Sequence, residues 1–302
     1  MGKEVVDPEP STHEKSQTES EDEEEQQFDE LSSHRQSFWV KDIKDPIYFD
    51  RSGTTWKADP IFHERSICEY FIPEASAICV ATQVEGPNPG MKAILKIRQQ
   101  IPASDPDDLE PQEDVSWDKP HEKVGECALE EVKNILALTE AGCTCTPKFL
   151  DIILEKQSKY DPVPDGFRLY ILMEKVPGRN LLNFGKLPLA ERDQVRIAFA
   201  KAIYELHTHG HGHMDPHLRN LMWDRRNKRV YIVDMEAAGE YAIMPRIDII
   251  FYTWGLAGTV WWDDHIVDPM VPKMGCKRPW PSEEELVQMA ADAAEEQPMC
   301  PK

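Results

Sequence analysis

The stretch that most constrains this chain is His213-Met214-Asp215-Pro216-His217-Leu218-Arg219-Asn220, together with the residues just after it. Leu221-Met222-Trp223, a basic turn and Val230-Tyr231-Ile232-Val233-Asp234 read as a β-hairpin that ends in an acid. The loop thus carries an acid and an amide five residues apart, and the hairpin brings a second acid after them. Asp215 can accept a proton from a hydroxyl. Asn220 and Asp234 offer hard oxygen ligands of the kind Mg²⁺ prefers.

Bulk properties limit what can surround that stretch. The 302 residues suffice for one domain of two lobes or for two small domains, and a 40% hydrophobic content allows a sizeable core. The formal charge is −21; residues 1–35 hold twelve acids against three bases, and the remainder stays acidic. No basic face is evident, which speaks against a nucleic-acid partner. The seven cysteines (68, 79, 127, 143, 145, 276 and 300) form no C-x-x-C, and Cys143-Thr144-Cys145 is tighter than usual zinc spacing. Reduced thiols are the expectation. There is no apolar leader and no run of about 18 apolar residues, so neither secretion nor a membrane partner is expected, and the location expected is cytoplasmic or nuclear. Met1-Gly2 is not a myristoylation signal, because position 6 is Val.

Residues 1–36, with Glu21-Asp22-Glu23-Glu24-Glu25 at their centre, read as a disordered acidic tail. Ser20 before that run is a candidate phosphosite, although a solvating tail explains the same composition. Residues 37–64 read as an irregular lead-in with a turn at Arg51-Ser52-Gly53. Strands are expected over 67–72, 77–84 and, after the turn Pro87-Asn88-Pro89-Gly90, over 91–97. The third carries Lys96 at the end of an apolar run, where a lysine needs an anionic partner or an edge position. Residues 101–120 form an acidic, Pro-rich insertion. A helix comes next, from Glu126 to an Ala141-Gly142 stop, with Glu130 and Glu131 on adjacent spokes. Glu131 is favoured as the inward acid because Ile135 and Leu138 lie along its face; a solvated face is the alternative for either. Two strands, 148–154 and 167–173, lead into Met173-Glu174-Lys175-Val176-Pro177-Gly178, and an amphipathic helix spans 189–206. His207, His209, His211, His213 and His217 suggest a transition-metal site as a competing reading, but glycines 210 and 212 make the run a flexible turn, with no fixed tetrahedral set nearby. A capping box, Ser282 with Glu285, starts a last helix.

The pattern H-x-D-x-x-x-x-N with a downstream acid resembles the catalytic core of the protein-kinase-like superfamily, over roughly residues 65 to 260. The resemblance implies an α+β, two-lobed kinase-like fold: an N-lobe (65–175) of antiparallel sheet with one helix, and a small, mostly helical C-lobe (176–302) ending in a helix. It implies an ATP-dependent phosphotransferase that moves the γ-phosphate of Mg-ATP to a hydroxyl acceptor. Lys96 would hold the nucleotide phosphates and pair with Glu131. Met173 would be the gatekeeper, and the main chain of Glu174 and Val176 would contact the purine. Asp215 would be the catalytic acid–base group, Asn220 and Asp234 the Mg²⁺ ligands, His213 a brace for the loop, and Asp248 its anchor from the helix after it.

Three departures narrow the resemblance. Ile72-Pro73-Glu74-Ala75-Ser76-Ala77 holds no glycine where a phosphate-covering loop is expected, and Glu74 would repel phosphate. Asp248 comes only fourteen positions after Asp234, too few for a protein kinase's activation segment. Asp215-x-His217-x-x-Asn220 resembles the aminoglycoside and choline phosphotransferase branch. A small-molecule or atypical kinase is therefore expected, with a reduced protein Ser/Thr kinase or a non-catalytic, nucleotide-binding pseudokinase as the alternatives.

Overall fold

Alternation of small and branched apolar residues builds the larger sheet. Strand β4 (Glu74–Glu85) turns Ala75, Ala77, Cys79 and Ala81 to one face, and β5 (Lys92–Gln100) turns Ala93, Leu95 and Ile97 to the same face. The computed structural model describes residues 39–41, 43–67, 72–102, 119–121, 123–240 and 247–257. Within them, β1 (Ile47–Phe49), β2 (Thr54–Ala58), β4, β5, β7 (Phe167–Glu174) and β6 (Phe149–Lys156) run antiparallel in that spatial order, and β3 (His63–Ile67) also pairs with β4. The ends of this seven-stranded sheet approach each other. Ser52 N–H donates to Asp151 Oδ2 at 2.9 Å, Lys44 pairs with Glu155, and the Arg51 guanidinium lies 5.9 Å from the Phe149 ring centroid. The sheet is thereby nearly closed, like a barrel, around Ile47, Phe49, Trp56, Leu95, Ile97 and Leu172.

The opposite face of β5 and β7 meets α1 (Glu126–Glu140), whose Ala128, Glu131, Ile135 and Leu138 recur at helical spacing and are buried. This second core continues through α2 (Leu189–Thr208), which contributes Val195, Phe199, Ile203 and Leu206, and reaches Phe251 and Trp254 at α3 (Ile247–Thr253). A three-stranded sheet of β8 (Arg179–Asn180), β10 (Leu221–Asp224) and β11 (Arg229–Ile232) and a two-stranded ribbon of β9 (His211–His213) and β12 (Ala238–Glu240) complete it. Gly178, at φ +99°, brings the turn before β8 against β10: a Cβ there would stand 2.2 Å from Trp223 O. Only glycine fits.

The expected α+β, two-lobed fold with a mostly helical second lobe is not what forms. Among the described residues twelve strands stand against three α-helices, and the nearly closed antiparallel sheet dominates. After Val176 the chain adds a three-stranded sheet and a two-stranded ribbon beside α2 and α3, the first built on the hairpin sequences 221–224 and 229–232. The expected irregular lead-in instead supplies β1 and β2, with Arg51-Ser52-Gly53 as their turn; Tyr48 out with Ile47 and Phe49 in makes a period-2 pattern too short to stand out in the sequence. The strand expected to start at residue 77 starts at Glu74, because Ala75 belongs to its small-residue face. The acidic tail 1–36, most of the insertion after residue 102 and the Ser282 capping box lie outside the described residues.

Candidate functional site

Strand alternation decides what faces α1. With Leu95 and Ile97 inside the barrel, Lys96 and Arg98 must project from the other side, and both are buried. Lys96 Nζ donates to Glu131 Oε1 at 2.7 Å and to Asp234 Oδ1 at 2.8 Å, with Glu236 Oε2 3.5 Å away. Arg98 pairs with Glu74 through Nη2 and with Glu236 through Nη1, and stands 3.5 Å from Glu131 Oε2. Arg65, on β3, pairs with Glu236 and lies 3.8 Å from Asp234 Oδ2. Four acids and three bases, drawn from β3, β4, β5, α1 and the loop after β11, thus meet at one spot. Glu130, the alternative on α1, instead faces outward and pairs with Lys133 at 3.4 Å.

Burial opposes the charge on Lys96, but Glu131, Asp234 and Glu236 outweigh it and hold the ammonium above its ordinary range. Arg98 is raised in the same way by Glu74, Glu131 and Glu236. Burial lifts the Glu131 carboxyl upward against the pull of Lys96 and Arg98. For Asp234 the balance reverses: burial is outweighed by Lys96 and Arg65, and its carboxyl sits below its ordinary value. Its backbone is left-handed, at φ +67° and ψ +63°, and it opens the short 3₁₀ helix Met235–Ala237. Asn134 of α1 clamps that helix by donating to Met235 O at 3.1 Å and Ala238 O at 2.7 Å. A non-glycine residue held at positive φ by its surroundings is common where a side chain must be aimed.

The acid-and-amide turn begins where β9 ends. His213 Nε2 lies 3.1 Å from both Val233 O and Asp234 O, and Nδ1 accepts from Asp215 N–H at 3.2 Å. These contacts assign the proton to Nε2. Burial lowers the imidazole below its ordinary value, so it is neutral, with its edge toward Trp254. His217 Nδ1 accepts from Arg219 N–H at 3.0 Å and starts the 3₁₀ helix Leu218–Asn220. Asn220 Nδ2 then donates to Asp215 O at 2.9 Å and to Asp215 Oδ2 at 3.0 Å, while Arg219 Nη2 reaches the same Oδ2 at 2.9 Å. Partial burial raises the Asp215 carboxyl, but these two donors and the charge of Arg219 outweigh it and bring it below its ordinary value. Asn220 is buried, and Val233 N–H donates to its backbone carbonyl at 2.9 Å.

No protein-family model matches the sequence, and no curated protein matches it. The chemistry open to the site is set by its own atoms.

The structure connects Lys96, Glu131 and Asp234 directly, and joins Asp234 to Asp215 and Asn220 through His213. Glu174 ends β7, and its N–H donates to Lys148 O at 2.9 Å; Val176 comes two residues later, buried. The Asp248 side chain lies outside the described residues. Four members of the cluster, Glu74, Arg98, Arg65 and Glu236, escape sequence reasoning. Two of them carry a signal: Arg98 and Glu236 each stand two residues beyond a recognised site residue. Glu74, expected to repel phosphate, is covered by Arg98. Ligand oxygens of Glu131, Asp234 and Glu236 lie within 4.8 Å of one another, and all are hard donors that fit Mg²⁺. Outside this centre, Cys143 Sγ lies 3.4 Å from Cys145 Sγ. The S–H of Cys145 stabilises the Cys143 thiolate and, against burial, brings that thiol down to about 6.

Proposed function

We propose that this protein is an ATP-dependent phosphotransferase that passes the γ-phosphate of Mg-ATP to a hydroxyl of a small molecule or an atypical protein substrate. The observation that carries the reading is the convergence on Lys96 Nζ of Glu131 from a helix, at 2.7 Å, and Asp234 from a distant loop, at 2.8 Å. A buried ammonium fixed by two acids is suited to meet nucleotide phosphates. Asp215 orients the acceptor hydroxyl and takes its proton as the acceptor oxygen bonds to phosphorus and the bond to the ADP oxygen breaks. Its depressed carboxyl keeps it ionised for that task at neutral pH. Asn220 and Asp234 would hold Mg²⁺, which when bound neutralises phosphate charge. The main chain of Glu174 and Val176 would hold the purine.

The order of these side chains along the chain supports kinship with the protein-kinase-like superfamily, and the Asp215-x-His217-x-x-Asn220 spacing supports its aminoglycoside and choline phosphotransferase branch. Cytoplasm or nucleus, where ATP is plentiful, is the location that goes with this reading. Among the described residues no helix is long and apolar enough to cross a membrane.

A second reading, a non-catalytic module, is favoured by one observation. Lys96 already has three carboxylates around it, with Arg98 and Arg65 behind them. Phosphate must displace part of this set before it can bind. Thermal unfolding with ATP, with and without Mg²⁺, separates the two. The phosphotransferase reading requires a Mg²⁺-dependent rise in melting temperature, followed by transfer of labelled phosphate in a screen of metabolite and peptide hydroxyls. No shift with either nucleotide or metal overturns it.

A further inference from the structure

We propose that Cys143, Cys145, Glu205 and His209 form a binding site for one transition-metal ion of the zinc class, where the loop after α1 meets the end of α2. One ligand atom each from Cys143, Glu205 and His209 lies within 4.8 Å of the other two. The second sulfur, of Cys145, stands 3.4 Å from the first but outside that group of three, so its side chain must turn toward Glu205 and His209 to complete the set. Two thiolates on one tetrahedral zinc are separated by about 3.8 Å, as Zn–S bonds of about 2.3 Å require. The sulfurs are therefore close to that spacing before any ion arrives.

The chemistry of the set selects the metal. Two sulfurs, an imidazole and a carboxylate suit Zn²⁺ or Co²⁺ and are poorly matched to Mg²⁺ or Ca²⁺, which take oxygen. Glu205 and His209 are four residues apart at the end of α2, so they share a helix face. Among the described residues the His209 imidazole has no hydrogen bond or ion pair, whereas the neighbouring rings are engaged: His211 Nδ1 with His209 O at 2.9 Å, His213 with Val233 and Asp234. His209 is thus the member of the histidine run that is available at this place.

The loop that carries the thiols is held in position by its own contacts. Thr144 N–H donates to Glu205 Oε1, and Thr144 Oγ1 donates to Glu205 Oε2 at 3.1 Å. Arg229 Nη2 donates to Thr144 O at 3.0 Å, and Ile232 N–H donates to Cys145 O at 2.8 Å. Each carboxylate oxygen retains a lone pair for a metal. An ion here ties the exit of α1 to the end of α2, and the bond from Ile232 N–H to Cys145 O carries that tie to β11, two residues before Asp234. The site is a staple that steadies the loop bearing Asp234 and takes no part in phosphate chemistry.

The test uses the full chain, purified with reductant, stripped by chelator and titrated with Co²⁺ and then Zn²⁺. One equivalent of Co²⁺ should bind with thiolate-to-cobalt charge-transfer absorption, and Zn²⁺ should displace it and raise the melting temperature. Cys143→Ser and, independently, the more exposed His209→Gln should each weaken binding by roughly a hundredfold or more and remove the Zn²⁺-dependent rise. His207→Ala and His211→Ala should leave both readouts unchanged. Cobalt bound without the thiolate absorption, loss of binding in His211→Ala but not His209→Gln, or a Cys143–Cys145 disulfide in place of bound metal would each overturn the proposal.

Discussion

The cluster around Lys96 and the turn around Asp215 are joined by one imidazole, yet they handle charge in opposite ways. Lys96 and Arg98 have side chains 4% and 0% exposed, and every carboxylate that touches them arrives from another element of the fold. Asp215 is 35% exposed and takes its hydrogen bonds from residues four and five positions along the same loop. The first region is a tertiary assembly that cannot exist until β5, α1 and the loop after β11 have come together. The second is largely local, made by Pro216, the His217 cap and the Asn220 side chain. Removing a member of the first should therefore damage the fold, and removing a member of the second should damage chemistry alone.

Arg98→Met is the most severe test of the first half of that contrast. It leaves Glu74 buried and unpaired and deprives Glu236 of a partner, so urea unfolding should show a loss of about 3–5 kcal/mol. Glu74→Leu combined with Arg98→Met should recover most of it, because the stranded charge is gone. A double variant no better than the single one would mean that the loss comes from packing. Gly178→Ala should cost about 1–3 kcal/mol in the same measurement, through its positive φ and the contact with Trp223 O. Because Gly178 and Arg98 share no partner, the two losses should add.

The same contrast explains what the sequence disclosed. The turn is legible because its parts are neighbours: Asp215, Asn220 and the hairpin to Asp234 can be read along the chain. So is Lys96, since a lone lysine at the end of Ala93-Ile94-Leu95 demands a counter-charge. The choice of Glu131 over Glu130 rests on helix phase, and the buried acid is Glu131. Arg98 carries the same signal two residues on, but it lies past the apolar run and so resembles the polar end of a strand. Glu74 depends on β4–β5 register, in which Ser76 opposes Arg98 and Glu74 stands diagonal to it. Register cannot be read from composition. The near-closure of the sheet, the β8–β10 pairing and the β9–β12 ribbon are likewise pairings between segments far apart in sequence. Helical periodicity in α2 therefore suggests a more helical second half than forms.

His213, which joins the two regions, gives a smaller and pH-dependent effect. Burial holds its imidazole below its ordinary value of 6.5, so the unfolded chain takes up a proton first as pH falls through that range. Stability should thus decline as pH drops below about 6.5, and this slope should flatten in His213→Gln. Asp215 and Asp234, both depressed, lose stabilising charge only at lower pH, nearer their ordinary 3.8. His217 is lowered as well, so His217→Gln is the necessary control. If the slope survives in His213→Gln and disappears in His217→Gln, the two regions are not linked through the ring assigned here.

Asp215→Asn should have the least effect on stability and a large one on turnover. The surface pair with Arg219 contributes under about 1 kcal/mol, so urea unfolding should barely change. Phosphate transfer should fall on the order of a hundredfold or more, because a neutral amide cannot take the hydroxyl proton. The Mg-ATP-dependent rise in melting temperature should remain, since Lys96, Glu131 and Asp234 are untouched. Asp234→Ala offers the counterpart within the cluster: it should abolish that rise and destabilise the protein together. If Asp215→Asn unfolded as readily as Asp234→Ala, the turn would be part of the structural knot. If it turned over at the normal rate, the proton would be leaving by another route and the assignment of Asp215 would fall.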